Sequence, residues 1–548
     1  METVSIVLFL LLAVVVSGAV ARMLPFSVPT PLVQIVLGGV IGLSTSHRVD
    51  LDPELFLFLF LPPLLFLDGW RIPKDELFKD ASTVVELALG LVLITVIGMG
   101  FLIHWMIPSM PLAVAFALAA VVSPTDPIAV SAIAARVPIP KRMMHILEGE
   151  SLLNDASGLV CLRFAVAAAL TGTFSASSAA LNFLWVAGAG LVIGVVVTLV
   201  VTRAKAWVTK RWGEDTGSQI LVSLLIPFGS YLLAEHVHAS GILAAVSAGV
   251  TMTYAEISRQ ALAATRMRRN SVWDMIQFTL NGIIFVLLGE QLPGILAGAR
   301  ETVAVTGHTQ AWWLAVYILV IVAGLATLRF AWVWASLKLT ILRGARRGDG
   351  TKTPDWRLIA ATSVAGVRGA ITLAGVLTLP LALNDGSPFP ARDLAIFLAA
   401  GVIIVSLVLA TLVLPILLKG LAMPAEPARQ AEEDSVRIEV AEAAIRAIER
   451  HQHALAETHG AADVYSDAGG QIMNLYRERI EGLSERQSGA PRASDNLARE
   501  FRLVGVKAER AALSQMLRGR RISSSIAQKL TRELDLSEAR FSNAGASH

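Results

Sequence analysis

The chain has 548 residues, of which 54% are hydrophobic and 16% charged, with a formal net charge of +3 and one cysteine, Cys161. So apolar a composition excludes a chain that is water-soluble throughout, because many runs reach the ~20 residues that cross a bilayer as a helix. The lone cysteine excludes an internal disulfide, and so small a net charge gives no sign of a nucleic-acid partner.

Thirteen spans are predicted in chain order: Thr3–Val20, Val28–Leu43, Glu54–Leu67, Val84–Ile107, Leu112–Ile133, Ile146–Leu170, Leu181–Val201, Ser218–Ala234, Ser240–Tyr254, Trp273–Leu288, Ala311–Leu337, Ile359–Leu381 and Leu394–Leu418. The first lacks a basic start and is followed by Arg22, so it reads as a retained span and not as a signal peptide. Loops after odd spans are basic: Arg71, Lys74 and Lys79; Arg136, Lys141 and Arg142; Arg203, Lys205, Lys210 and Arg211; Arg343, Arg346 and Arg347. Loops after even spans carry little beyond Arg48, Arg300 and Arg392. By the positive-inside rule the N-terminus faces outward, and the chain after Lys419 is cytoplasmic.

Four stretches interrupt the apolar pattern. The third span ends in Leu61-Pro-Pro-Leu-Leu-Phe-Leu-Asp68-Gly-Trp70, where the prolines kink or end the helix and Asp68 stands near the cytoplasmic end. The fifth contains Ser123-Pro124-Thr125-Asp126-Pro127, whose two prolines should break it at mid-membrane. Broken backbone survives there only under cover of protein or a water-filled cavity, and this is how transporters build ion sites. The sixth opens with Glu148-Gly-Glu150-Ser151-Leu-Leu-Asn154-Asp155. Glu150 with Asn154 and Ser151 with Asp155 are i,i+4 neighbours, and their oxygens are hard ligands suited to a small hard cation. The twelfth holds Gly366-Val-Arg368-Gly369, and an arginine at that depth needs a partner, for which Glu150 is the expected acid. Arg163 is paired with Glu86 in the same spirit. Glu235, His236 and His238 are expected to be solvated at an outer helix end, Asn281 to pack or hydrogen-bond at mid-span, and Arg329 is one more polar residue of a span.

Residues 1–423 thus form a transmembrane domain. Residues 424–548 have no long apolar run and mix acids and bases nearly evenly. Period-3.6 patterns predict amphipathic helices over Asp434–Thr458 and Ser494–Leu517, with turn-rich stretches at Gly460–Gly470 and Gln487–Ala493. This helical cytoplasmic tail is open to a coiled-coil or a regulatory role.

Pro62-Pro63, Ser123-Pro-Thr-Asp-Pro127, Gly149-Glu-Ser-Leu-Leu-Asn-Asp155, Tyr231-Leu-Leu-Ala-Glu235 with Ser240-Gly-Ile, and Gly366-Val-Arg-Gly369, in this order, resemble sodium/proton exchangers of the monovalent cation:proton antiporter-1 family. The resemblance covers about residues 1–420. It implies an all-α fold with inverted repeats and crossed broken helices, and a homodimer with a dimerisation part and a mobile core that moves as an elevator. It implies that Asp155 binds Na⁺, Li⁺ or a proton. Ser151, Asn154 and Thr125 would support the site, Asp68 would assist, Glu150 would pair with Arg368, and Asp126 would stabilise the broken helices between Pro124 and Pro127. The tail matches nothing in the resemblance.

The expected activity is exchange of Na⁺ (or Li⁺) for H⁺ across the cell membrane, serving pH and sodium homeostasis, with membrane lipid as surroundings and no cofactor. Asn154 stands where a second acid would make transport electrogenic, so exchange should be electroneutral and one for one. A K⁺/H⁺ antiporter on the same scaffold and a cation channel are the alternatives. An enzyme using Ser151 or His145 is disfavoured, since no Ser-His-Asp set shares a face.

Overall fold

A computed structural model describes residues 2–24, 28–44, 53–71, 86–127, 141–172, 176–257, 263–297, 310–345, 356–419, 427–459, 462–487 and 493–518, with single positions 130, 303, 306, 530 and 534. Every expected span carries a helix or a pair of half-helices. These are α1 (Glu2–Met23), α2 (Thr30–Ser44), α3 (Pro53–Arg71), a π-turn (Glu86–Leu91) leading into α4 (Val92–Met106), α5 (Leu112–Val122), α6 (Lys141–Thr171), α7 (Ala176–Trp212), α8 (Thr216–His236), α9 (Gly241–Ile257), α10 (Ala263–Ala297), α11 (Trp312–Ala345), the half-helices α12 (Trp356–Val364) and α13 (Ala370–Leu377), and α14 (Arg392–Leu418). Seven described helices are long and apolar enough to cross a membrane. Large apolar side chains such as Phe9, Leu12 and Val15 on α1 and Val192, Val196 and Val200 on α7 are exposed, as a lipid-facing surface requires.

Packing sorts these helices into two bundles. In the first, α2 packs on α10, α3 on α9 and α7 on α9, with α1 and α8 alongside. Small residues let these backbones approach: Gly289 of α10 lies against the Ile35 carbonyl of α2, and Gly249 of α9 against the Phe66 carbonyl of α3. Phe66, Trp70 and Trp273 add an aromatic knot, with the Arg269 guanidinium 4.9 Å from the Trp70 ring centre. The second bundle holds α4–α6 and α11–α14. The two meet along a thin seam, chiefly α3 against α13 and α6, and α10 against α13.

Both expected breaks are present. α5 stops at Val122, just before Pro124, and α12 stops at Val364 before α13 restarts at Ala370. The half-helix expected up to Ile133 lies largely outside the described residues.

Residues 422–548 form a separate compact unit. It contains α15 (Pro427–His459), α16 (Ala462–Gln487) and α17 (Ala493–Arg518). The first and last answer the two expected amphipathic helices. The expected turn at Gly460–Gly470 is mostly α16 instead, which packs on α15. A β-carbon at Gly469 would press on the Gln452 side chain of α15, so this glycine permits helix contact where its propensity alone favours a turn.

Candidate functional site

The sixth span begins earlier than its apolar run implies. α6 starts at Lys141, which sets Asp155 about four turns inside the helix, too deep for a helix cap. Glu150, Ser151, Asn154 and Asp155 are all at most 4% exposed. Their i,i+4 spacing is realised: Asn154 Nδ2 lies 3.4 Å from Glu150 Oε1, and Ser151 Oγ 3.4 Å from Asp155 Oδ2.

These side chains grip the break after α5. Ser151 Oγ donates to the Thr125 carbonyl at 2.8 Å, and Asn154 Nδ2 donates to Thr125 Oγ1 at 2.9 Å. The prolines strip donors from this stretch, so its polar groups take partners from α6. Asn154 therefore positions Thr125 rather than Asp155, and its Oδ1 is buried with no hydrogen-bond partner among the described residues. The single Ser151 proton is committed to Thr125 at the shorter distance. Asp155 is left with that long contact alone among the described residues, an acceptor open to a cation or a proton.

The two breaks touch. The Asp126 N–H donates to the Val367 carbonyl at 2.7 Å. Asp126 also stands at the start of α13, where the helix dipole favours an anion. A β-carbon at Gly369 would collide with the Asp126 carboxylate, so the approach requires glycine. Arg368 serves the opposite ends. Its Nε donates to the Val122 carbonyl at the end of α5 at 2.8 Å, and its Nη1 to the Gly366 carbonyl just past α12. Helix ends leave carbonyls that must be satisfied, and a cation there also opposes the negative end of the dipole.

That use of Arg368 overturns the expected Glu150–Arg368 pair. Glu150 instead receives both prongs of Arg329, Nη1 to Oε1 at 2.5 Å and Nη2 to Oε2 at 2.6 Å, while Arg329 Nε donates to the Thr362 carbonyl at 3.0 Å. Arg329 carried the signal of an arginine in the middle of an apolar span, which needs a buried acid, but Arg368 carried the same signal. The Arg163–Glu86 pairing is also corrected. Arg163 Nη2 binds Glu235 Oε1 at 2.6 Å, and Glu86 Oε2 accepts from Ser336 at 2.9 Å. Glu235 is thus ion-paired rather than simply solvated, and it also accepts from the Gly241 N–H at 3.2 Å. The side chain of His145 lies outside the described residues.

Between the bundles is a cavity of about 30 Å³ open to the centres of water-sized molecules, room for one or two waters. The second bundle lines it with Pro124, Thr125, Asp126, Pro127, Ser151, Asp155 and Thr372, and the first with Leu64, Asp68 and Asn281. Three carboxyls, Asp68, Asp126 and Asp155, surround this small space, an arrangement that suits a cation better than an anion. Thr372 was missed because it lies three residues beyond the recognisable glycine motif. Asn281 was expected only to pack or hydrogen-bond, because nothing in its own segment marks the face it presents.

Residues 8–420 match the family model described as "Sodium/hydrogen exchanger, transmembrane". The chain is 43% identical over 546 residues to an uncharacterised Na⁺/H⁺ exchanger of Escherichia coli, covering 98% of this chain and 99% of that protein. It is 38% identical over 552 residues to the sodium, potassium, lithium and rubidium/H⁺ antiporter of Bacillus subtilis, covering 99% of this chain and 79% of that one. In fold it is similar to the sodium proton antiporter MjNhaP1 of Methanocaldococcus jannaschii at pH 8, with a TM-score of 0.57 at 20% identity, over 77% of this chain and 99% of that one.

Proposed function

The chain belongs to the sodium/hydrogen exchanger family, multi-pass membrane transporters that exchange monovalent cations for protons and are not enzymes, and from that premise we propose that it carries Na⁺ or Li⁺ against H⁺ through Asp155. The observation that carries this reading is Asp155 itself: buried, in the cavity wall, and held by no short hydrogen bond among the described residues. One carboxylate can hold a cation or a proton, and competition for it couples the two fluxes. Ser151, Thr125 and Asp126 face the same cavity from the same bundle and complete the hard-oxygen surroundings.

Exchange is one for one and electroneutral. Asp68 is a second acid in the wall, but it belongs to the other bundle and does not travel with Asp155. Asp126 is bound up with the start of α13. Asn154 adds no charge. The second bundle moves as an elevator against the first, which forms a homodimer; the thin seam between bundles supports that division. The basic loops support an N-terminus outside and a tail in the cytoplasm, where the tail regulates exchange that serves pH and sodium homeostasis. A second reading, K⁺ for H⁺, is favoured by the name of the Bacillus relative, whose substrates include potassium.

The test is proton movement in proteoliposomes with an internal pH dye, pulsed with Na⁺, Li⁺, K⁺ or choline. Wild type should collapse a pH gradient on Na⁺ and Asp155→Asn should not. A response to K⁺ alone moves the substrate to the second reading. An active Asp155→Asn would sink the role of Asp155.

A further inference from the structure

The cavity has two walls, and the antiport reading uses chiefly one of them. On the other, from the middle of α10, stands Asn281. It is 8% exposed, and among the described residues nothing donates to or accepts from its amide. Its polar atoms are not sealed off from water-sized molecules, and the residue lines the cavity. A buried amide is costly unless satisfied, which leaves water or an ion in the cavity to satisfy this one. An amide oxygen is a hard, neutral ligand, the kind that suits an alkali cation without adding a titrating group. Thr372 makes an instructive contrast. It too lines the cavity, at 1% exposed and with no hydrogen-bond partner for its hydroxyl among the described residues, but it lies in the first turn of α13 in the second bundle.

We infer that Asn281 is a stationary ligand for the transported cation: its oxygen meets the ion while the cavity lies against α3 and α10, and is left behind when the bundle carrying Asp155 moves. This rests on the antiport reading and its moving bundle. A ligand met in one state only gives the two faces of the membrane different affinities, because a contact shifts only the state that contains it. Asp68 lies in the last turn of α3, which ends at Arg71, the end assigned to the cytoplasm, so the added contact belongs to cytoplasmic loading. Thr372 travels with Asp155 and serves both faces equally.

The experiment measures the apparent KM for Na⁺ in everted and in right-side-out vesicles, for wild type, Asn281→Ala, Asn281→Ser and Thr372→Val. Loss of the Asn281 oxygen should raise the cytoplasmic-face KM about tenfold and leave the opposite face within about twofold, the signature of one lost binding contact. Asn281→Ser keeps a smaller oxygen and should recover part of the loss. Thr372→Val should raise both. Equal change on both faces in Asn281→Ala and Asn281→Ser, or change on neither, overturns the inference while antiport stands. If Asn281→Ala does not fold, the serine variant decides by the same sidedness. Wild-type vesicles that move no protons on any cation overturn the antiport reading and this inference together.

Discussion

Glu150 and Arg329 show what a buried charge demands. Both are at most 2% exposed, and the two-pronged contact joins α6 to α11 while Arg329 Nε reaches the end of α12. Removing one partner strands the other charge in a dry core, at a cost of about 3–5 kcal/mol, whereas removing both leaves none stranded. Glu150→Gln and Arg329→Met should therefore each lower the unfolding temperature in detergent sharply, and the double variant Glu150→Leu/Arg329→Met should recover much of the loss. A Glu150→Gln protein that melts like wild type but no longer responds to Na⁺ would instead place Glu150 among the ion ligands. The residue types in this site were legible in the sequence, because i,i+4 spacing on one helix fixes which side chains are neighbours. The partner of Glu150 was not. Two arginines in apolar spans look alike in a string, and only the free carbonyls of Val122 and Gly366 decide that Arg368 is already taken.

Broken helices were the most readable elements, since proline pairs and a Gly-x-x-Gly stretch act on the backbone locally. How they meet was not readable, because the contact joins Asp126 to Val367 across more than two hundred residues. Gly369→Ala tests that meeting. Its β-carbon would occupy space held by the Asp126 carboxylate, so the breaks must part or Asp126 must swing away. Exchange should fall by at least tenfold in the proteoliposome assay, while Gly172→Ala, at a helix end with open space around it, should leave the rate near wild type despite some backbone strain. The bundles offer a second test between elements. Arg163 of α6 and Glu235 of α8 form an ion pair across the seam, about two turns beyond Asp155 on the side away from Arg71. Both are partly exposed, so the pair adds little stability, but it ties α6 to α8. With Cys161 replaced by serine, Arg163→Cys/Glu235→Cys joined by a short bifunctional maleimide should stop exchange. The same protein without the reagent should remain active. Full exchange in the joined protein would rule out sliding of α6 past α8.

At the scale of the whole molecule, the shift in composition near residue 423 was plain in the sequence, and contacts divide the chain at Leu421 and Ala422. What the composition could not carry was the sorting of the span helices into two bundles, which depends on glycines meeting backbone carbonyls between distant helices. Every group assigned to the ion or to the broken helices lies within the family match, residues 8–420. The matches to the Escherichia coli and Bacillus subtilis relatives nevertheless run over nearly all of this chain, so α15–α17 belong to the shared architecture and are not an addition peculiar to it. A chain ending at Met423 keeps the whole cavity and both bundles, and it should still exchange Na⁺ for H⁺ in proteoliposomes. If the tail regulates, the rate plotted against cytoplasmic-side pH should shift along the pH axis with its maximum nearly unchanged, because the residues that bind the ion are intact. Loss of exchange from a truncated protein that still runs as a single species in detergent would make the tail part of the transport machinery, and an unmoved profile would remove its regulatory role.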